Sequence, residues 1–191
     1  MNITIRPETK EEFAAIDELV LNSFAKGTPY SDGKLEIALI AEIRAGEYYI
    51  PSLSFVAELE GELVGHFLFS RFPLSRSAAG GDYLEKADGI VILTPVAVDY
   101  RNLRQGIGSK MLRLGLGEAR AAGCRAAIVE GNPAFYHKVG FVTSSDLGLH
   151  PSDNVRLPKP ECLMAQELTP GALNGITGYV DYGMYETIGQ T

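Results

Sequence analysis

The chain has no tryptophan and only two cysteines, Cys124 and Cys162, among its 191 residues. Two cysteines so far apart give no zinc-ligand spacing. Three scattered histidines, His66, His137 and His150, add none, so no metal is expected. A reducing compartment leaves the two thiols free, and free cysteines are usually buried. Basic runs are missing as well: 17 lysines and arginines stand against 24 acidic residues, a formal charge of -7. A nucleic-acid binder carries a basic stripe that is absent here. The acidic balance suits a cationic partner, but charge spread over a whole surface defines no pocket. The longest apolar run, GIVILTPVAV, is about half of the roughly 20 residues that a membrane-spanning helix needs. MNITIRPETKEEF lacks the basic-then-apolar order of a secretory signal, so the expected location is the cytosol. There is no internal repeat, low-complexity tract or linker, and the length suits one domain, 1–191.

What is present reads as alternating strands and helices. NITIR alternates like a short strand. Thr9-Lys10-Glu11-Glu12 fits a capping box that opens a helix, followed by Phe13, Ile16, Leu19 and Val20 at helical spacing. TPYSDGK interrupts, and Leu35, Leu39 and Ile43 stripe a second helix over 35–44. SFVAELE and ELVGHFLFSRF are strands around a Glu60-Gly61 turn. A polar loop over 73–89 follows, long for a compact domain. GIVILTPVAVD is a buried strand, and a helix then runs to about Ala122, with Gly123 as its stop. Ile107, Met111 and Leu114 form one stripe of that helix, and Leu112, Leu116 and Ala119 form another. A stripe so wide predicts deep burial. RAAIVE is a strand, NPAFYHKV a short helix, GFVTS a strand start and ECLMAQEL a strand. This order predicts a single α/β or α+β domain around a mixed sheet, with 170–191 as a C-terminal extension.

The segment RQGIGS, residues 104–109, joins the buried strand to the long helix. Amides at a helix start lack intrahelical partners, and the helix dipole adds positive charge there. Glycines let phosphate oxygens approach those amides. Ser109 adds a hydroxyl, and Arg101, Arg104 and Lys110 add charge. The spacing excludes a Walker loop, since no Gly-Lys pair is followed by Ser or Thr. It also excludes a dinucleotide fingerprint, since Met111 stands at the third glycine position. Two glycines that merely shape a turn remain the bland alternative.

VAVDYRNLRQGIGSKML, followed about twenty residues on by NPAFYHKVGF, closely resembles the paired motifs of the GNAT superfamily of N-acetyltransferases. The family's loop is Gln/Arg-x-x-Gly-x-Gly/Ala, and its later motif ends in Tyr-x-Lys-x-Gly-Phe, here residues 136–141. The Gly131-Asn132-Pro133 entry and the PGALNGITGYVDY ending resemble one subfamily of uncharacterised bacterial acetyltransferases. Leu103 departs from the pattern, because the family has a polar residue there.

The resemblance implies a mixed, mostly antiparallel central sheet flanked by helices, with acetyl-CoA as cosubstrate and no metal. It implies that amides of Arg104, Gln105, Gly106, Ile107, Gly108 and Ser109 hold the pyrophosphate. Val96, Ala97 and Val98 then line the pantetheine arm, and a strand amide polarises the thioester. Tyr136 matches the family's general acid, and Asn132 matches an asparagine used on the CoA arm, though Asn is also a good helix cap. The base that accepts the amine's proton is drawn from Glu130, Glu58 and His66, with Glu130 expected to be catalytic beside Tyr136. His66 has the alternative of a core histidine. His137 and His150 are expected in solvent, and Phe135 in packing.

The expected partners are acetyl-CoA and an amine of a small molecule or peptide, with no nucleic acid and no membrane. A homodimer is left open. Tyr179, Tyr182 and Tyr185 are open to packing, a docking edge or a dimer contact, packing being commonest. The rival functions are a non-catalytic acyl-CoA-binding module and an unrelated phosphate-binding domain.

Overall fold

The computed structural model describes residues 2–29, 31–84 and 89–188. Part of the 73–89 loop, residues 85–88, lies outside them, as do Met1, Tyr30 and 189–191. The strands are β1 (Ile3–Pro7), β2 (Tyr49–Leu59), β3 (Glu62–Arg71), β4 (Ile90–Val98), β5 (Ala126–Glu130), β6 (Val142–Thr143), β7 (Leu149–Pro151), β8 (Leu163–Glu167) and β9 (Gly178–Val180). The helices are α1 (Phe13–Gly27), α2 (Lys34–Ala45), α3 (Ile107–Ala121) and α4 (Pro133–Tyr136). None of these helices is long and apolar enough to cross a membrane. The strand order is β1-β2-β3-β4-β5-β8-β6, with a separate β7-β9 pair. In the seven-strand sheet, β4 pairs in parallel with β5, whereas β1/β2, β2/β3, β5/β8 and β6/β8 are antiparallel. The mixed, mostly antiparallel sheet expected from the motifs is present.

The contacts divide the chain into two compact units, one of residues 1–70 and 93–118, the other of 71–92 and 119–191.

In the first unit, Glu60 and Gly61 both take positive φ, 55° and 85°, the geometry of a tight hairpin turn that matches strand twist. That turn pairs Leu59 with Glu62, and an irregularity between Ala57 and Glu58 then shifts the register by one residue, setting Ala57 opposite Gly65 and Phe55 opposite Phe67. β2 starts earlier than its pattern indicated. An irregularity between Tyr49 and Ser54 interrupts the alternation, and Pro51 falls inside it. Ile16, Val20, Leu39, Ile40 and Ile43 of α1 and α2 are buried with the strand residues Phe55, Phe67, Leu68 and Phe69. Thr9 precedes a 3-10 turn (Lys10–Glu12), and α1 itself begins at Phe13. Glu12 still reaches back, its carboxylate accepting from the Thr9 N–H at 3.0 Å.

α3 is amphipathic rather than buried all round, which corrects the wide stripe. Ile107, Met111, Leu112, Leu116 and Ala119 are buried, but Leu114 is 40% exposed. The position in line with Ile107 and Met111 is Gly115, not Leu114. A Cβ on Gly115 would come within 2.2 Å of the Phe67 ring, so the missing side chain is what admits that ring.

In the second unit, β5 is buried up to Val129 and leaves Glu130 exposed. Gly123 stops α3 with φ 89°. GFVTS yields only the two residues of β6. The NPAFYHKV segment is α4 followed by a 3-10 turn (His137–Val139) that ends at Gly140, φ 104°. β7 and β9 pair in parallel, so the tail is built into this unit. Cys124 is buried, whereas Cys162 is only half-buried, and both are free thiols.

Candidate active site

The first unit carries the loop singled out in the sequence. Asp99 ends β4 and caps a 3-10 turn (Tyr100–Asn102), its carboxylate accepting from the Arg101 N–H at 2.9 Å. The chain then takes left-handed backbone at Arg104 (φ 62°) and again at Gly106 (φ 79°). Left-handed backbone costs a non-glycine residue about 1–2 kcal/mol, so Arg104 is strained. Such alternation turns successive N–H groups to one side, which makes an anion-binding concavity. Nothing lies within 4 Å of where a Gly106 Cβ would sit, so its φ, not crowding, calls for glycine. Residues 103–106 are exposed, while Ile107 is buried and anchors the helix start.

Charge is distributed unevenly around this loop. The Arg101 guanidinium is engaged by Asp99 at 2.6 Å. That contact, above all, holds the Asp99 carboxyl below its usual range. Leu103 is 40% exposed and brings no polar group.

β4 supplies a row of amides beside the loop. The Asp99 N–H donates to the Val64 carbonyl of β3 at 2.9 Å. By strand alternation Val98, and Val96 before it, turn their N–H groups away from β3. Ala97 turns toward β3, its carbonyl oxygen lying 3.1 Å from where a Gly65 Cβ would stand. The parallel register with β5 covers residues 90–92, and β4 runs on past it.

The second unit holds the residues of the later motif. Asn132 caps α4, its side-chain oxygen accepting from the Ala134 N–H at 3.0 Å. This cap is worth about 1 kcal/mol and leaves the amide nitrogen of the side chain for other work. Tyr136 is buried, packed edge-on to Phe135 (4.9 Å between centroids) and to Phe141 (5.7 Å). Burial alone pushes its phenol far above the ordinary value, so it stays protonated. Gly131 makes room for it, since a Cβ there would lie 2.4 Å from the ring. Glu130 accepts from the Tyr182 hydroxyl at 2.9 Å. The crowding around its carboxyl raises its pKa, and that hydrogen bond partly offsets the rise.

The other two base candidates have different work. Glu58 receives Arg6 through Nε at 3.0 Å and Nη2 at 2.7 Å. His66 is fully buried, its Nε2 2.9 Å from Glu8 Oε2, and burial depresses its pKa. It is therefore a core histidine. His137 is exposed as expected. His150 is not: it is half-buried with its ring 6.0 Å from that of Tyr179. Sequence reasoning did not find the pairing of Tyr182 with Glu130, and no local pattern links positions 52 apart.

The model of the acetyltransferase (GNAT) family matches residues 13–141. The uncharacterised N-acetyltransferase YjhQ of Escherichia coli K12 is 30% identical over 151 residues, 76% of either chain. The uncharacterised N-acetyltransferase YhbS of the same strain is 29% identical over 180 residues, 93% of this chain and 95% of its own. The crystal structure of Escherichia coli YhbS in complex with CoA superposes with a TM-score of 0.75 at 28% identity, covering 98% of this chain and 92% of that one. A GNAT acetyltransferase from Brucella melitensis in complex with acetyl-CoA gives 0.69 at 26% identity, covering 97% of both. The chain belongs to the GNAT family and is an N-acetyltransferase.

Proposed function

We propose that the enzyme transfers the acetyl group of acetyl-CoA to an amine of a small molecule or a peptide, in the cytosol. The observation that carries this reading is the 104–109 loop, with left-handed backbone at Arg104 and Gly106 immediately before a helix start. An exposed concavity of backbone amides fits a pyrophosphate, and needs no polar side chain at Leu103. In this reading Val96 and Val98 offer amides to the amide groups of the pantetheine arm, and Asn132 adds its side-chain nitrogen. An N–H of β4 donates to the thioester oxygen as negative charge develops there, a contribution often worth about 3 kcal/mol.

The amine nitrogen forms a bond to the acetyl carbon and gives up a proton, which Glu130 accepts. The carbon–sulfur bond breaks, and the departing sulfur takes the hydroxyl proton of Tyr136, which is later replaced from solvent.

A thermal-shift panel of acetyl-CoA, ATP and NAD tests the cradle, because a ligand that binds the native state raises its stability. Acetyl-CoA should shift the melt and the other two should not. Release of free CoA thiol with a panel of polyamines, amino sugars and peptides with free N-termini tests transfer. Tyr136→Phe should lower kcat about a hundredfold with unchanged acetyl-CoA affinity. Exposed Leu103 in place of a polar residue favours one second reading, a non-catalytic acyl-CoA-binding module. That module would give the thermal shift without thiol release.

A further inference from the structure

The tail beyond residue 170 places a phenol on the carboxylate assigned above as base. Glu130 lies at the exposed end of β5, and its Oε2 receives the Tyr182 hydroxyl at 2.9 Å. Among the described residues its Oε1 has no hydrogen-bond partner. One oxygen is thus anchored and the other is open to a proton.

The phenol is held in place independently of Glu130. Its ring packs edge-on to Phe72 (6.2 Å, 75°), and Phe72 also packs against Tyr185, which is buried. The preceding residue, Asp181, caps the turn that carries it, accepting from the Gly183 N–H at 3.1 Å. Asp181 is itself fixed by the Gly81 N–H at 2.9 Å and the Asn154 amide at 2.6 Å. Tyr182 is therefore set before any substrate arrives.

We propose that Tyr182 is a positioning residue for Glu130, so that the C-terminal tail is a working part of the acetyl-transfer machinery. This rests on the acetyl-transfer reading, with Glu130 as base. The hydroxyl orients the carboxylate and keeps it ionised, while the crowded surroundings make it more basic than an ordinary glutamate. Of the titratable groups, Tyr182 acts on Glu130 directly and Tyr185 acts on Tyr182. No lysine, arginine or histidine among the described residues contributes there. Burial and the adjacent Glu130 push the Tyr182 phenol well above its ordinary value, so it donates throughout the working pH range.

The test is the pH profile of kcat/KM for CoA release, with the best amine of the panel, in wild type, Tyr182→Phe, Glu130→Gln and the double variant. Phenylalanine keeps the ring against Phe72 and removes only the donor, and a thermal melt checks that the variant folds. Tyr182→Phe should move the acid limb to higher pH and lower kcat/KM about tenfold below it, with acetyl-CoA affinity unchanged. In the Glu130→Gln background the same change should cost little, because its effect passes through Glu130. An unmoved acid limb, or an equal loss in both backgrounds, overturns the proposal and leaves acetyl transfer standing. If wild type releases no CoA with any amine of the panel, acetyl transfer to these amines falls, and the proposal with it.

Discussion

Glu8 in the first unit and Asp181 in the second are carboxylates set deep in the protein, and the two are satisfied in opposite ways. Glu8 in the first unit has a fully buried side chain and sits among charged and titratable groups. Arg44 reaches it at 2.6 Å and 3.1 Å, the Tyr49 hydroxyl at 2.8 Å and His66 at 2.9 Å. Asp181 in the second unit is 1% exposed and, among the described residues, forms no ion pair. Its partners are the N–H groups of Gly81 and Gly183, the Asn154 amide, the Tyr83 hydroxyl at 3.3 Å and the Ser152 hydroxyl at 3.4 Å. The carboxyls of both are held below their ordinary range, and burial opposes the shift in both. Hydrogen bonds from His66 and Arg44 overcome it for Glu8, and those from Asn154 and the two glycine amides for Asp181. An ion-paired carboxylate depends on a few long side chains, whereas a dipole-satisfied one depends on the shape of the loops around it.

The largest effect should come from breaking the ion pair on one side. Arg44→Met leaves Glu8 buried without its guanidinium and should cost about 3–5 kcal/mol in urea denaturation. Adding Glu8→Gln to that variant should recover much of the loss, since the uncompensated charge is then gone. Asp181→Ala should cost less, about 2 kcal/mol, because some of its donors can turn to water. Its mark should be local, as faster hydrogen exchange at the Gly81 and Gly183 amides. Tyr49→Phe should cost about 1 kcal/mol in the same denaturation series. Its phenol, pushed up to about 12 by burial and then by Glu8, is a donor at every ordinary pH.

The smallest effect is the pH dependence, which separates the two sites. Burial depresses His66 below its ordinary 6.5, so unfolding takes up a proton below that value. The contribution of His66 is present in full above pH 6.5 and is lost as pH falls through its native pKa. Asp181 keeps its contribution until pH drops below its ordinary 3.8. Thermal melts from pH 7 to pH 5 should therefore decline in wild type and flatten in His66→Gln. An Asp181 variant should keep the wild-type slope over that range.

The sequence was informative where structure is local. The capping glutamate, the Glu60-Gly61 turn, the strand before the loop and the glycine stop at Gly123 are each specified by a few adjacent residues. The loop itself was legible for the same reason, since two glycines before a helix leave few geometries. What was not legible is what joins distant positions. Glu8 and His66 are 58 residues apart, and neither gives a local sign that they meet. Leu114 looked like core because its spacing fitted, and only the Phe67 ring reveals that Gly115 holds the buried place. Within the candidate site, Tyr136 was visible through its motif. Tyr182, a residue of the tail, looked like ordinary packing until its hydroxyl was found on Glu130.

The Asp181 staple also bears on how the protein is made. The first unit has all its residues once position 118 has been synthesised. The second needs β9 to pair with β7 and Asp181 to fasten the turn at Gly80 and Gly81. Until residues 178–185 have left the ribosome, the 75–83 loop lacks its bonds to Tyr179 and Asp181, and Tyr182 cannot reach Glu130. The nascent chain thus holds every residue of the first unit, the 104–109 loop included, well before the Tyr182–Glu130 contact can form, and a stall between the two leaves a species with the first and without the second.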